Sequence, residues 1–193
     1  MRKKINSEAG LTLMEMLVAT LILILLVLML TTGMGMAMSS YRDVTAQSEV
    51  ELLVSTALDA LADDLRYARD ASGSGESGFT RESDGSYKRI EGFTYTSGSY
   101  GYKVYFIAAA NGQIMAYGKQ TDDAAVYNPE LRVLSTGAYG LDGAYHVTSL
   151  TIEPNPNNTF TISLTAAAKA DSGITASGTI TVRCLNKMNV TTP

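Results

Sequence analysis

A single apolar segment near the N-terminus limits what this chain can fold into. Leu11 to Leu30 form twenty residues whose only charge is Glu15. Twenty helical residues rise about 30 Å, which matches the hydrocarbon thickness of a bilayer. So strong a concentration of apolar residues disfavours both an ordinary cytosolic globular domain and a disordered chain. The segment therefore predicts a helix that crosses a membrane.

The residues around the apolar segment set its orientation and leave its processing open. Arg2, Lys3 and Lys4 precede it, and basic residues hold their end of a spanning helix in the cytoplasm. A secretory signal peptide has an apolar core of roughly 7–15 residues, shorter than this one, although Gly35-Met36-Ala37 would serve as its cleavage site. A signal anchor would keep the segment uncut. Neither outcome accounts for Glu15.

Glu15 indicates a functional role for the helix. An acidic side chain inside a spanning helix costs on the order of 2.5–3.5 kcal/mol, less near an interface. Cleavage between Gly10 and Leu11 would place a positively charged amino group on Leu11, four residues before Glu15. That amine could pair with Glu15 of its own chain or of a neighbouring subunit. The second pairing would neutralise two buried charges and set the axial register of an assembly.

The residues that follow the basic leader form a recognisable motif. They read Gly10-Leu11-Thr12-Leu13-Met14-Glu15-Met16-Leu17-Val18-Ala19, and this stretch resembles the class III signal of type IV prepilins and type II secretion pseudopilins. The resemblance implies that a prepilin peptidase cuts after Gly10 and N-methylates Leu11, and that Glu15 is the acidic residue of subunit pairing. Two departures are Leu11, where the family most often has phenylalanine, and Thr32, where many major pilins have proline.

The resemblance also implies a function and a location. We expect a structural subunit, a minor one, of a type IV pilus or pseudopilus, held in the cytoplasmic membrane by one span and then assembled into an extracellular or periplasmic filament. The implied partners are the prepilin peptidase, other pilin or pseudopilin subunits, the inner-membrane assembly platform with its ATPase, and the lipid bilayer. The alternative is a signal-anchored extracytoplasmic binding domain that does not assemble. Adhesion, motility, DNA uptake and secretion all stay open as the system served.

The region after the apolar segment predicts an amphipathic extension of the same helix to about Ala71, followed by a flexible loop from Ala71 to Gly78. Gly33 and Gly35 mark either a hinge or the point where the helix leaves lipid. An apolar stripe recurs every three or four residues, and charged residues that are spaced to pair along the helix occupy the opposite face. The stripe is Val50, Val54, Leu58, Leu61, Leu65 and Ala68, and the charged face is Asp59, Asp63, Arg66 and Asp70.

The rest of the chain predicts β-strands. Asn111-Gly112 lies between two alternating segments, Tyr102–Ile107 and Gln113–Tyr117, which is a strong hairpin signal. Further strands are predicted within 87–96, 131–135, 145–153, 160–164 and 180–184, with a turn at 155–158. We therefore expect an α+β fold, a long N-terminal helix packed on an antiparallel sheet, as in the pilin architecture that the resemblance implies. The predicted segments are a cleaved leader (1–10), the transmembrane and assembly helix (11–31), its amphipathic extension (32–72) and an extracytoplasmic β-rich head domain (73–193).

The sequence indicates no catalytic or metal site, and we expect neither an enzyme nor a cofactor. His146 is the only histidine and no nucleophile motif accompanies it, so a structural role is expected. Cys184, the only cysteine, excludes an intrachain disulfide and is interpreted as a small buried hydrophobe. The dense acidic groups are Asp122-Asp123 and the trio Asp59, Asp63 and Asp64, the trio being interpreted as a solvated helix face.

Two further patterns concern modification and nucleic acid. Asn157-Asn158-Thr159 and Asn189-Val190-Thr191 fit the N-glycosylation pattern, a weak signal by itself. The net charge is −4, from 15 basic and 19 acidic residues. With no basic tract beyond the leader, a nucleic-acid partner is expected only if the filament serves DNA uptake.

Overall fold

A computed structural model describes residues 13–100, 104–119, 126–134, 139–140, 143–155, 157–169, 173–186 and 190–191. One helix, α1 (Leu13–Arg66), precedes all the strands. The chain divides into two compact units, Met1–Val44 and Thr45–Pro193. The described part of the first unit is entirely helical. It stays helical at Gly33 and Gly35, and a Cβ added at either glycine would meet nothing within 4 Å.

The second unit contains the end of α1 and two sheets. The larger sheet has the order β12-β1-β5-β6-β7-β8-β4-β3, and the smaller one has the order β11-β10-β9-β2. Neighbouring strands are antiparallel, except that β12 pairs with β1 in parallel. The α+β class is therefore confirmed. The strands are β1 (Ala71–Ser72), β2 (Gly75–Glu76), β3 (Phe79–Arg81), β4 (Tyr87–Arg89), β5 (Thr94–Thr96), β6 (Val104–Ala110), β7 (Gln113–Lys119), β8 (Val126–Arg132), β9 (Tyr145–Asn155), β10 (Thr159–Ala168), β11 (Thr175–Arg183) and β12 (Val190–Thr191).

The predicted hairpin forms at its predicted turn. β6 and β7 pair on either side of Asn111 and Gly112, whose φ angles are 52° and 70°. Positive φ at both central residues defines the type I′ turn, whose twist matches that of the strands. The main-chain N–H of Val147, on β9, donates to the Gly112 carbonyl oxygen at 2.9 Å. The turn therefore also contacts the smaller sheet.

The core lies between α1 and the sheets, and the predicted helix stripe is confirmed from Val50 to Leu65, whereas Ala68 is buried but lies beyond the end of α1. All six of its residues are buried, with exposed fractions between 0% and 7%. Phe160, Ile162 and Leu164 on β10 belong to the same apolar cluster. Each such side chain contributes about 1.5–3 kcal/mol when it is fully buried. The buried positions recur at regular intervals along α1 and β10, with more exposed positions between them. This spacing therefore determines which side of each element faces the core.

The predicted end of the helix is wrong, since α1 ends at Arg66 and not near Ala71. The next residues bond to the sheet instead: Arg69 N–H donates to the Thr96 carbonyl at 3.1 Å, and Thr96 N–H donates to the Asp70 carbonyl at 2.9 Å. In the described chain the predicted Arg66–Asp70 pair does not form, because Asp70 is no longer helical. Asp63 and Arg66 do pair, at 3.5 Å.

Several of the predicted loop and strand bounds also change. The loop predicted over 71–78 contains β1 and β2, the segment 87–96 divides into β4 and β5, and a strand predicted over 131–135 occupies Val126–Arg132. The short strands are held by long-range pairing, as when Ala71 pairs with both Val190 and Tyr95. Local sequence carries little information about such partners.

Candidate functional site

The apolar stem, defined as residues 13–30, exposes apolar side chains all round the helix. Its Leu, Ile, Val and Met side chains are exposed by 47% (Val18) to 84% (Leu13). One 18-residue window of α1 reaches a mean hydropathy of 2.8, and none of it is buried. A helix that is apolar on every face belongs in a large core or in lipid. The stem is therefore long and apolar enough to serve as a membrane anchor.

The hydroxyl groups near the stem are satisfied by the helix itself. Thr20 Oγ1 donates to the Leu17 carbonyl at 2.9 Å. Thr31 and Thr32 each donate to the Leu28 carbonyl, both at 3.0 Å. Between residues 13 and 32, which the structure describes, these bonds leave no hydroxyl that requires water, which suits a helix in lipid or packed against other helices.

Glu15 lies in the first turn of α1, on one helix face with Met14, Val18, Ala19 and Ile22. The other predicted processing residues, Arg2, Lys3, Lys4, Gly10 and Leu11, lie outside the described residues. Cleavage, methylation and subunit pairing through Glu15 therefore stay predictions.

Asp64 is the polar residue that sequence reasoning placed wrongly. It was expected on a solvated face, but it is half-buried and accepts hydrogen bonds from Tyr95 Oη and from Ser97 Oγ, the latter at 2.9 Å. Desolvation, followed by the charge of Asp64, raises the pKa of the buried Tyr95 hydroxyl. A pocket of about 110 Å³ lies beside this cluster. Asp59 and Asp63, by contrast, are exposed as expected.

A second carboxylate–tyrosine pair lies on the larger sheet. Tyr105 Oη donates to Glu130 at 2.9 Å, and burial followed by this bond raises the pKa of Tyr105. A Cβ added at Gly118 would lie 2.5 Å from the Glu130 carboxyl group, so a larger residue there would require that carboxyl group to shift. The Tyr105 ring centroid is 6.3 Å from that of Tyr95. Both hydroxyls donate to carboxylates within the fold.

An apolar groove runs beside α1 in the second unit. It has a volume of about 350 Å³ and is lined by Glu49, Leu52, Leu53, Thr56, Leu134, Tyr139 and Tyr145. Tyr145 Oη donates to the Glu49 carboxylate, and this bond is the main cause of the raised pKa of Tyr145. The groove therefore has one bonded carboxylate among largely apolar walls.

The predicted structural roles of His146 and Cys184 agree with their positions. His146 is half-buried on β9, and a Cβ added at Gly112 would lie 2.7 Å from its Cβ. The Cys184 side chain is 3% exposed, its Sγ lies 2.8 Å from the Ala68 carbonyl oxygen, and burial raises its thiol pKa. Among the described residues, no three His, Cys, Asp or Glu side chains are grouped to hold a metal ion. Asp122 and Asp123 lie outside them.

The first of the two N-glycosylation patterns lies on an exposed turn. Asn157 is exposed with φ 70°, whereas the Asn158 side chain bonds to the Cys184 carbonyl at 2.9 Å. In the second pattern Asn189 lies outside the described residues. Nothing in the structure therefore adds to the weak signal from the sequence.

The described residues define a protein with one helix able to act as a membrane anchor and an α+β unit of two sheets. Comparison of the chain with protein-family models, curated proteins and solved structures found no match.

Proposed function

We propose that this protein is a structural subunit, a minor one, of a type IV pilus or pseudopilus, and not an enzyme. The observation that carries the proposal is one carboxylate, Glu15, within a helical segment that is otherwise apolar and exposed on every face. A simple lipid anchor gains nothing from such a residue, which costs on the order of 2.5–3.5 kcal/mol at mid-membrane and less near an interface. An assembly that supplies a cation to each carboxylate recovers that cost.

In the proposed mechanism removal of the leader creates the cation, which is the new amino group of Leu11. Prepilin peptidase removes residues 1–10 and methylates the new amino group of Leu11. The processed chain stays in the cytoplasmic membrane through its stem until the assembly platform and its ATPase extract it into a fibre. Glu15 then pairs with the Leu11 amine of an adjacent subunit, and residues 11–30 form the fibre core.

The N-terminus of the mature protein tests this proposal. The full chain is purified from its native membranes, and its N-terminus is read by sequencing and by intact mass. We expect a methylated Leu11. An intact Met1 would instead support the signal-anchored binding domain, and cleavage after Ala37 would indicate a free secreted protein.

A second test separates the two roles of the motif. Glu15→Ala is expected to leave cleavage largely intact and to impair filament assembly, because only assembly needs the paired carboxylate. Glu51→Ala, which removes an exposed carboxylate of the same helix, is the control and should assemble normally. Normal fibres from Glu15→Ala would refute the pairing.

A further inference from the structure

β11 is the longest edge strand in the described part of either sheet. It ends the smaller sheet, where its only neighbour among the described strands is β10. The strands at the other sheet edges, β2, β3 and β12, have two or three residues each, whereas β11 has nine. Proteins commonly keep edge strands short because an open edge can pair with another chain. β11 is not protected in this way.

The ladder between β10 and β11 shows which backbone groups of β11 face outward. One residue pair beyond each end of the ladder, Cys184 N–H donates to the Asn158 carbonyl and Ala168 N–H donates to the Ile174 carbonyl, both at 2.9 Å. Bonded and non-bonded pairs alternate along an antiparallel ladder, so the even-numbered residues of β11 bond to β10. The odd-numbered residues therefore direct their N–H and C=O groups away from β10.

Four of the odd-numbered residues form what we call the free edge. Its members are Ser177, Thr179, Thr181 and Arg183. Their outward backbone groups have no hydrogen-bond partner among the described residues, whereas the Thr175 carbonyl accepts a bond from Gln47 Nε2 on α1. The strand contains no proline or lysine, and its pairing with β10 has no bulge. The devices that normally oppose edge pairing are therefore missing from β11.

The side chains of β11 indicate which kind of strand would fit beside it. On the side that faces the core, Ala176 and Ile180 are only half-buried, so an added strand with apolar residues there would cover them. On the opposite side Thr179 and Thr181 present hydroxyl groups, and no described carboxylate pairs with Arg183. A fitting strand therefore alternates apolar and polar residues and places an acidic side chain beside Arg183.

We propose that the free edge binds an extended segment of a partner protein, which adds to the smaller sheet as a further strand. Main-chain hydrogen bonds supply the affinity, while the alternation and the acidic residue supply the specificity. A second copy of β11 fits less well because it has no acidic residue for Arg183. The proposal does not rest on the filament, since it uses only residues of the second unit.

A peptide copy of β10 serves as the probe, because β10 already pairs with β11 and alternates half-buried with buried residues. The peptide has the sequence Thr159–Ala168 with Thr159→Glu, which places an acid beside Arg183. Its even-numbered apolar residues should face the core side, so its odd-numbered residues pair with the free edge. N-methylation at positions 161, 163 and 165 removes donors from the pairing edge and should abolish binding. N-methylation at 162, 164 and 166 alters the opposite edge and should preserve it.

A matched pair of variants tests the free edge in the full chain. Thr179→Pro removes one outward N–H, and proline is tolerated where an edge N–H faces solvent. Thr179→Val keeps that N–H and, like proline, loses the contact between the Thr179 and Ser163 hydroxyls. We expect Thr179→Pro to weaken peptide binding about tenfold or more, because a peptide carbonyl loses its donor, and Thr179→Val to bind like the wild type. Arg183→Gln should weaken binding only of the peptide that carries the glutamate.

Fluorescence anisotropy of the labelled peptide, with the full chain in detergent micelles, measures these affinities, and thermal unfolding checks that each variant is folded. The proposal is overturned if the wild type does not bind at about 1 mM, if the two methylated peptides bind equally, or if folded Thr179→Pro matches Thr179→Val. If Thr179→Pro does not fold, the methylated peptides decide the matter on the wild-type chain. A wild-type dimer that Thr179→Pro converts to a monomer would make a second copy the occupant and overturn the assignment to a partner protein.

Discussion

The main-chain N–H of Leu185 donates a hydrogen bond of 2.8 Å to the carbonyl oxygen of Arg66, so a residue near the C-terminus caps the last turn of α1. Asn186 Nδ2 adds a bond of 2.8 Å to the Tyr67 carbonyl. Asn158, in the turn between β9 and β10, in turn donates to the carbonyls of Cys184 and Asn186. These contacts join the end of α1, the β9–β10 turn and the segment after β11 into one clasp.

Asn158→Gly is expected to weaken the clasp. Asn158 has φ 66°, which glycine adopts without strain, so the variant removes the side-chain bonds and leaves the turn. Two carbonyl partners lose a donor, and the free energy of unfolding should fall by about 1–3 kcal/mol. Urea unfolding followed by circular dichroism measures it.

The neighbouring residue supplies the control for that experiment. Asn157→Gly replaces an exposed asparagine with φ 70° and should change stability by less than about 0.5 kcal/mol. If both variants lost the same free energy of unfolding, the loss would come from the geometry of the turn and not from the side-chain bonds of the clasp.

Asp64→Ala should destabilise the second unit by about 1–3 kcal/mol, because it leaves the buried Tyr95 hydroxyl without its acceptor. Asp63→Ala removes the adjacent carboxylate, whose side chain is 75% exposed, and should cost at most about 1 kcal/mol. Thermal unfolding of both variants gives the comparison. If the thermal unfolding midpoints of the two variants coincide, the bonds that Asp64 accepts do not stabilise the second unit.

Gly178→Ala tests the close approach of α1 to β11. A Cβ at position 178 would lie 2.8 Å from both Leu58 Cδ1 and Val54 Cγ1, so the helix must shift or the side chains must leave their rotamers. Overpacking of this kind costs about 1–3 kcal/mol. Ser177→Ala, on the exposed side of the same strand, is the control. A Gly178→Ala variant as stable as the control would disprove the contact.

Stability should fall at alkaline pH because burial raises the pKa values of Tyr95, Tyr105 and Tyr117. The unfolded tyrosines titrate near about pH 10, whereas these folded ones hold their protons to higher pH. Their contribution is therefore complete below about pH 10 and is lost as the pH rises through the folded values. Urea unfolding across that range measures the slope.

Tyr105→Phe removes one of these groups and should make that slope shallower. A wild-type stability that stays constant above pH 10 would contradict the assigned burial.

The sequence by itself determined the features that depend on a local repeat or on backbone chemistry. The stem follows from length and hydropathy, and the stripe from Val50 to Ala68 follows from spacing. The hairpin at Asn111-Gly112 follows from two residues that accept positive φ. Each of these signals lies within one helical segment or one tight β-turn, so it does not depend on residues that are distant in sequence.

Only the tertiary structure decided which polar residues are buried and where the elements end. Asp64 differs from Asp63 because Tyr95 and Ser97 lie against it, and α1 ends at Arg66 because Thr96 and Leu185 bond to the chain there. These partners are far away in sequence. What these partners contribute to stability depends on burial and on hydrogen bonds that form only when the chain has folded. The local periodicity of the sequence predicts neither.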